Sequence, residues 1–254
     1  MAKRDEKLIY TDDCYWNSYW KEEKREGVNF YFEDIVDSYI DWNTVHSYME
    51  IGGAPGSIMV YMNQTHGLTV STVDFTEKRL IEKYLDSYSV SNYKIYQEDF
   101  MQFEKKQKYD LVASWGFVEH FSKDKCAEII RKKISLVADE GYLVVEIPNI
   151  RKLFWLAYFI FNRKLLQIHN LEIMNLDFLK NQVLKDDNME ILYAGYHIAM
   201  NDENEYFKKH SKIKTLCANF VNRMKKAKLC NGVKCWFYPY IVIIAKKKRS
   251  IDLL

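Results

Sequence analysis

The chain has 254 residues, 48% of them hydrophobic and 15% aromatic, which allows one large folded domain, or a domain with an appendage, and argues against intrinsic disorder. A formal net charge of +2 argues against a dedicated nucleic-acid binder. Five cysteines, Cys14, Cys126, Cys217, Cys230 and Cys235, form no C-x-x-C and signal neither a disulfide framework nor a zinc knuckle. The first residues carry no apolar signal-peptide core, and the longest apolar run, Leu153 to Phe161, falls short of the ~20 residues that span a bilayer. A cytoplasmic setting is expected.

Residues 1–44 form an expected helical lead-in. Tyr15, Trp16, Tyr19 and Trp20 recur at helical spacing, and a second segment runs through Phe32, Ile35, Val36 and Ile40. A core over 45–149 then alternates strand and helix. Val45–Ile51 predicts a short buried strand, Leu68–Phe75 a second, Tyr93–Phe100 a third, Tyr109–Trp115 a fourth and Tyr142–Pro148 a fifth. Helices are expected from Ser57, over Glu77–Tyr88 and over Lys123–Ala138. This rhythm implies an α/β fold with a parallel sheet wound on both faces. It breaks over 150–188, which reads as two helical stretches joined by Leu166–Asn175. It resumes over 189–254 with a strand at Ile191–Met200, a basic helix at about Glu205–Lys228 and a last strand at Trp236–Ala245.

The chain is organised around Tyr48-Met-Glu-Ile-Gly-Gly-Ala-Pro-Gly56, where an apolar run ends in an acid and three glycines. Gly52, Gly53 and Gly56 allow positive φ and a close approach of backbone to ligand. A dinucleotide site would want G-x-G-x-x-G and no acid before it, because a carboxylate repels a pyrophosphate. Glu50-x-Gly52-x-x-x-Gly56 suits a cationic ligand instead. Asp74 and Asp99 follow Glu50 at intervals of 24 and 25 residues, at the ends of the next two predicted strands. In an open α/β sheet such ends converge on the ligand crevice, where an acid after the second strand can accept hydrogen bonds from both ribose hydroxyls.

These residues, together with Tyr109-Asp-Leu-Val-Ala-Ser-Trp-Gly-Phe-Val-Glu-His-Phe121 and Gly141-Tyr-Leu-Val-Val-Glu-Ile-Pro-Asn149, resemble the motifs of class I S-adenosylmethionine (SAM) methyltransferases. The likeness covers about 45–150 and departs at Gly53-Ala54-Pro55, where G-x-G-x-G is commoner. It implies a Rossmann-like seven-stranded sheet, mostly parallel with an antiparallel last strand, binding SAM and releasing S-adenosylhomocysteine (SAH). Carried onto this chain, Glu50, Gly52, Gly53 and Gly56 would hold the methionine part, Asp74 and Phe75 the ribose side, and Asp99 and Phe100 the adenine. Ser114 and Trp115 would offer backbone groups, with Glu119 and His120 at the rim near the methyl group.

The 150–188 insertion stands where that superfamily builds its acceptor cover. Within it His169 and Asn170 are the polar pair suited to proton transfer. His120 and His169 are therefore the candidate bases for methylating an oxygen of a small molecule or surface-sugar precursor. No metal is called for, since no acid-rich ligand cluster follows the fifth strand. N-methylation, a nucleic-acid methyltransferase without the usual Asn/Asp-Pro-Pro-Tyr or Pro-Cys signatures, and a non-catalytic SAM-binding subunit are the alternatives. Lys208–Lys228 carries eight Lys or Arg, and after Glu205 the only acid is Asp252. Chiefly this predicts a solvated helix with one face in the core, with peripheral membrane contact as a further role.

Overall fold

A computed structural model describes residues 11–22, 28, 30–104, 106–199 and 211–249. Seven strands form one sheet: β1 (Ser47–Ile51), β2 (Thr69–Asp74), β3 (Tyr93–Gln97), β4 (Tyr109–Trp115), β5 (Val137–Pro148), β6 (Met189–His197) and β7 (Tyr240–Lys247). Their order is β3-β2-β1-β4-β5-β7-β6. The first five are parallel, while β7 runs antiparallel to both β5 and β6. The expected antiparallel last strand is therefore present. The order reverses between β1 and β4, the switch point at which an open α/β sheet leaves a crevice for a ligand.

Period-two alternation explains why both faces are covered. Along β5, Leu143, Val145 and Ile147 enter one core, and Tyr142 and Val144 the other; along β7, Ile241, Ile243 and Ala245 oppose Val242 and Ile244 in the same way. One face packs on α5 (Lys123–Leu136) and α8 (Leu176–Val183) through Ile129, Ile130, Leu179 and Val183. The other packs on α3 (Ser57–His66) and α4 (Lys78–Ser87) through Met59, Met62, Ile81 and Leu85. Ser122 caps α5 by accepting from the Lys125 amide, and Asn175 caps α8 by accepting from Asp177 and Phe178.

The lead-in contains α1 (Asp13–Glu22) and the single turn α2 (Glu33–Val36). The cover insertion holds three helices where two stretches were expected: α6 (Leu153–Phe161), α7 (Arg163–Ile168) and α8. Asn162, with φ −155° and ψ 75°, separates the first two. The basic segment is helical over α9 (Ser211–Lys226), a second helix α10 (Asn231–Phe237) follows, and β7 begins at Tyr240 rather than Trp236. The part of the basic run before Ser211 lies outside the described residues.

Candidate active site

The carboxyl ends of the parallel strands open onto one cavity of about 410 Å³. β1 supplies Glu50 and the loop residues Gly52 and Gly53, β2 supplies Asp74 and Phe75, and the turn after β3 supplies Glu98 and Phe100. Trp115 ends β4 and Glu146 lies near the end of β5. Glu119 and His120, from the 3-10 turn Val118–His120, and His169, just after α7, add further polar groups to the lining.

Gly52 adopts φ +75°, and a Cβ there would meet the Phe117 ring at 2.4 Å. The Gly53 amide donates to Thr72 Oγ1 at 3.2 Å, in a space where a Cβ would meet that oxygen at 2.5 Å. The loop thus lies flat against Phe117 and Thr72, where a side chain has no room. Asp74 fastens it from β2: its carboxylate accepts from the Ala54 amide at 2.9 Å and the Thr76 amide at 2.8 Å. Burial nevertheless raises the Asp74 pKa, against the lowering pull of those two amides. Two carboxylates beside an open glycine backbone fit a cofactor that is cationic at one end and bears hydroxyls. That is the character of SAM.

Not every expected cofactor residue lines the cavity. β3 stops at Gln97, so Asp99 falls beyond the strand end and caps the turn Phe100–Gln102 by accepting from the Met101 amide at 2.8 Å; Glu98 lines the cavity instead. Gly56, at φ +110°, starts α3 where a Cβ would press on Leu85 at 3.1 Å, which is a packing constraint between helices. Ser114 is fully buried, and its hydroxyl accepts from Lys133 Nζ at 2.6 Å. Lys133 also donates to the Val144 carbonyl at 3.2 Å, and burial brings its pKa down to about 7. Trp115 does line the cavity; its ring stacks on Phe32, with centroids 5.1 Å apart, and its Nε1 donates to Tyr48 Oη at 2.9 Å.

The sharpest polar arrangement is Glu119, His120 and His169. His120 Nδ1 lies 2.9 Å from the Ile168 carbonyl and His169 Nδ1 lies 2.6 Å from the Leu165 carbonyl. A carbonyl only accepts, so both imidazoles carry hydrogen on Nδ1 and leave Nε2 with a lone pair. Those two Nε2 atoms stand 3.7 and 4.0 Å from Glu119 Oε1. Neither contact is an ion pair at neutral pH. Burial lifts the Glu119 carboxyl to about 8 and takes His120 down to about 3, helped by the neighbouring His169 ring; burial lowers His169 as well. Glu119 Oε2 is buried without a hydrogen-bond partner.

One ligand-type atom from each of the three falls within 4.8 Å of the others, so a cation could in principle be gathered there. The 3.7 and 4.0 Å gaps are wider than the ~3.4 Å separating ligands of a closed tetrahedral zinc site, however. The lead-in closes this side: Tyr15, Trp16, Tyr19 and Trp20 line the cavity, and Trp16 meets the His120 ring edge-on at 4.9 Å. Asn170 is occupied structurally. It clasps the cover to the turn below, its Nδ2 donating to the Phe121 carbonyl and its amide to the Glu119 carbonyl.

Sequence reasoning left Glu146 and Glu98 out of the site. Glu146 is buried at the cavity wall, and burial followed by the nearby Glu119 raises its pKa well above the usual carboxylate value. A single acid inside Val-Val-Glu-Ile-Pro was the available signal, since a buried strand excludes charge unless it is used or compensated.

The methyltransferase domain family matches residues 17–190, more than half of the chain. No curated protein sequence matches. The fold is similar to that of a putative sarcosine dimethylglycine methyltransferase from Galdieria sulphuraria, at 12% identity and a TM-score of 0.56, covering 93% of this chain and 98% of that one. It is also similar to magnesium protoporphyrin IX methyltransferase from Synechocystis PCC 6803 with bound SAH, at 16% identity and a TM-score of 0.55, again covering 93% and 98%. The StiE O-MT matches at 12% identity and a TM-score of 0.53 over 86% of this chain and 74% of that one. With a family match that takes in the glycine loop, the strand-end acids and the Glu119-His120 turn, the chain belongs to the methyltransferase domain family and is a class I SAM-dependent methyltransferase.

Proposed function

We propose that this enzyme methylates an oxygen of a small molecule or surface-sugar precursor, with His120 and His169 serving its deprotonation. The observation that carries this reading is the pair of Nε2 lone pairs, fixed by backbone carbonyls and turned toward one buried carboxyl at the cavity wall. SAM supplies a methyl carbon activated by its sulfonium, and SAH is what remains after transfer. Glu50, Gly52, Gly53, Asp74 and Phe75 would hold it, with Phe100 and Trp115 as apolar walls.

An alcohol is a weak nucleophile until its proton leaves, and His169 Nε2 can accept that proton as the acceptor oxygen bonds the methyl carbon. Burial lowers both imidazoles, but only His120 is lowered further by its neighbour, which makes His169 the better base. The new positive charge would stand 4.0 Å from Glu119 Oε1, and release of the Glu119 proton would balance it. The aromatic wall from α1 excludes water and favours an acceptor with an apolar or ring face.

Alanine at His169, and to a lesser degree at His120, should lower turnover about 10²–10⁴-fold while leaving SAH affinity nearly intact. Stopped assays with candidate hydroxylated acceptors and calorimetry with SAH measure the two quantities separately. Near-parental rates in both variants would leave alignment alone as the catalytic device, and a parallel loss of SAH affinity would make the histidines structural. Treatment with a chelator should leave turnover unchanged; a loss restored by added zinc would assign the cluster to a cation instead.

A further inference from the structure

We propose that α6 and α10 form a docking face for a bilayer surface that contains anionic lipid. α6 reads Leu-Phe-Trp-Leu-Ala-Tyr-Phe-Ile-Phe, with no polar side-chain group except the Tyr158 hydroxyl and the Trp155 indole N–H, yet none of its residues is fully buried. Leu153, Leu156, Ala157 and Ile160 recur at i, i+3, i+4 and i+7 on an outward stripe, where a globular protein normally places charge. Leu156 is 50% exposed, Ile160 62% and Phe161 84%. α10 packs against α6 and adds Trp236, 43% exposed, and the similarly open Phe237. Large apolar patches of this kind mark an interaction surface.

Charge selects the occupant. Lys152 Nζ lies 4.9 Å from the centre of the Trp236 ring, and Arg163 covers Phe159 at 4.2 Å. Lys234 lies within α10 itself. No Asp or Glu occurs between Arg151 and Leu171 or between Ser211 and Arg249, so every charge these two segments bring to the apolar face is positive. Two copies meeting through this face would set the same patch against itself and oppose cation to cation. A leaflet of anionic headgroups over hydrocarbon satisfies both parts at once, with aromatic side chains wedged at the boundary and Lys and Arg reaching the phosphates. At nine residues, α6 has a length of ~14 Å and would lie in the interface plane, since it cannot span it. No helix among the described residues is long and apolar enough to cross a membrane. The sequence assigns Lys208–Lys228 chiefly one face in the core and, as a further role, membrane contact; Leu216 and Phe220 of α9 are instead exposed, yet among the described residues the most exposed large apolar side chain is Phe161 of α6, in the cover that also supplies His169.

Flotation of the full chain with vesicles of phosphatidylcholine, alone or mixed with phosphatidylglycerol, tests this. Binding is expected only to the mixed vesicles, weakening as salt is raised. Ile160→Asp combined with Phe161→Asp should reduce it on the order of tenfold or more, because each side chain withdraws a large apolar area from the interface. Both residues are exposed, so the double variant should keep the parental melting temperature and SAH affinity. No binding to mixed vesicles, equal binding to both kinds, or full binding by the double variant would overturn the proposal. So would a lipid-free dimer that the double variant makes monomeric, which would give the face to a second copy. None of these outcomes depends on methyl transfer.

Discussion

At single residues, chemistry and architecture compete for the same atoms. Asp74 was legible as a ribose acceptor from its interval after Glu50, yet each of its oxygens also accepts a loop amide, from Ala54 and from Thr76. Asp74→Ala should therefore weaken SAH binding by roughly 1.5–3 kcal/mol, as expected for losing hydrogen bonds to a charged group, and should lower the melting temperature as well. Calorimetry and thermal unfolding separate the effects; parental SAH affinity in the variant would reject the ribose assignment. His120 makes the other residue-scale case. Its folded pKa lies at about 3 against an ordinary 6.5, so the unfolded chain takes up the proton first as pH falls. Its contribution to stability is thus intact above about pH 6.5 and is lost progressively toward pH 3. His120→Gln should flatten the stability profile in that window relative to the parent by about 1.4 kcal/mol per pH unit. Urea unfolding at several pH values checks this, and identical slopes would mean that His120 is protonated in the folded protein.

At the scale of elements, α8 anchors the cover in the core through Leu179 and Val183, while α7 and the residues after it meet the turn that follows β4 through hydrogen bonds. Asn170 is one clasp there beside the His120–Ile168 bond, donating from its side chain to Phe121 and from its backbone to Glu119, while its Oδ1 accepts from the Glu172 amide. Asn170→Ala removes the side-chain bonds and is expected to cost about 1 kcal/mol of stability. It should raise KM for the acceptor more than it lowers SAH affinity, because it frees His169 and leaves the glycine loop untouched. Faster amide hydrogen exchange confined to α7 and the turn Val118–His120 would report the loosening, and unchanged exchange there would show that the clasp is redundant. The break at Asn162 separates two helices with two roles. α6 rests Tyr158 and Phe159 on the core and leaves Leu153, Leu156 and Ile160 outside, whereas Leu165 and Ile168 of α7 turn to the cavity.

Across the whole molecule, the strand-helix alternation of residues 45–149 determined the five parallel strands, because runs of β-branched residues separated by amphipathic helices have no better way to bury both faces. The glycine loop was equally legible, since an acid followed by glycines at fixed spacing states both the backbone freedom and the charge the site needs. Boundaries were less so: β3 ends before Asp99, and the difference between a strand-end acid and a helical cap is one that local composition does not encode. The C-terminal region was only partly legible. The direction of β7 came from resemblance, and its physical cause is its seat between β5 and β6, with alternate residues in both cores. The convergence of Glu119, His120 and His169 was decided by tertiary structure alone. His120 and His169 are 49 positions apart in the sequence, and only the closing of the cover over the turn after β4 aims their Nε2 atoms at one buried carboxyl, where desolvation sets all three pKa values.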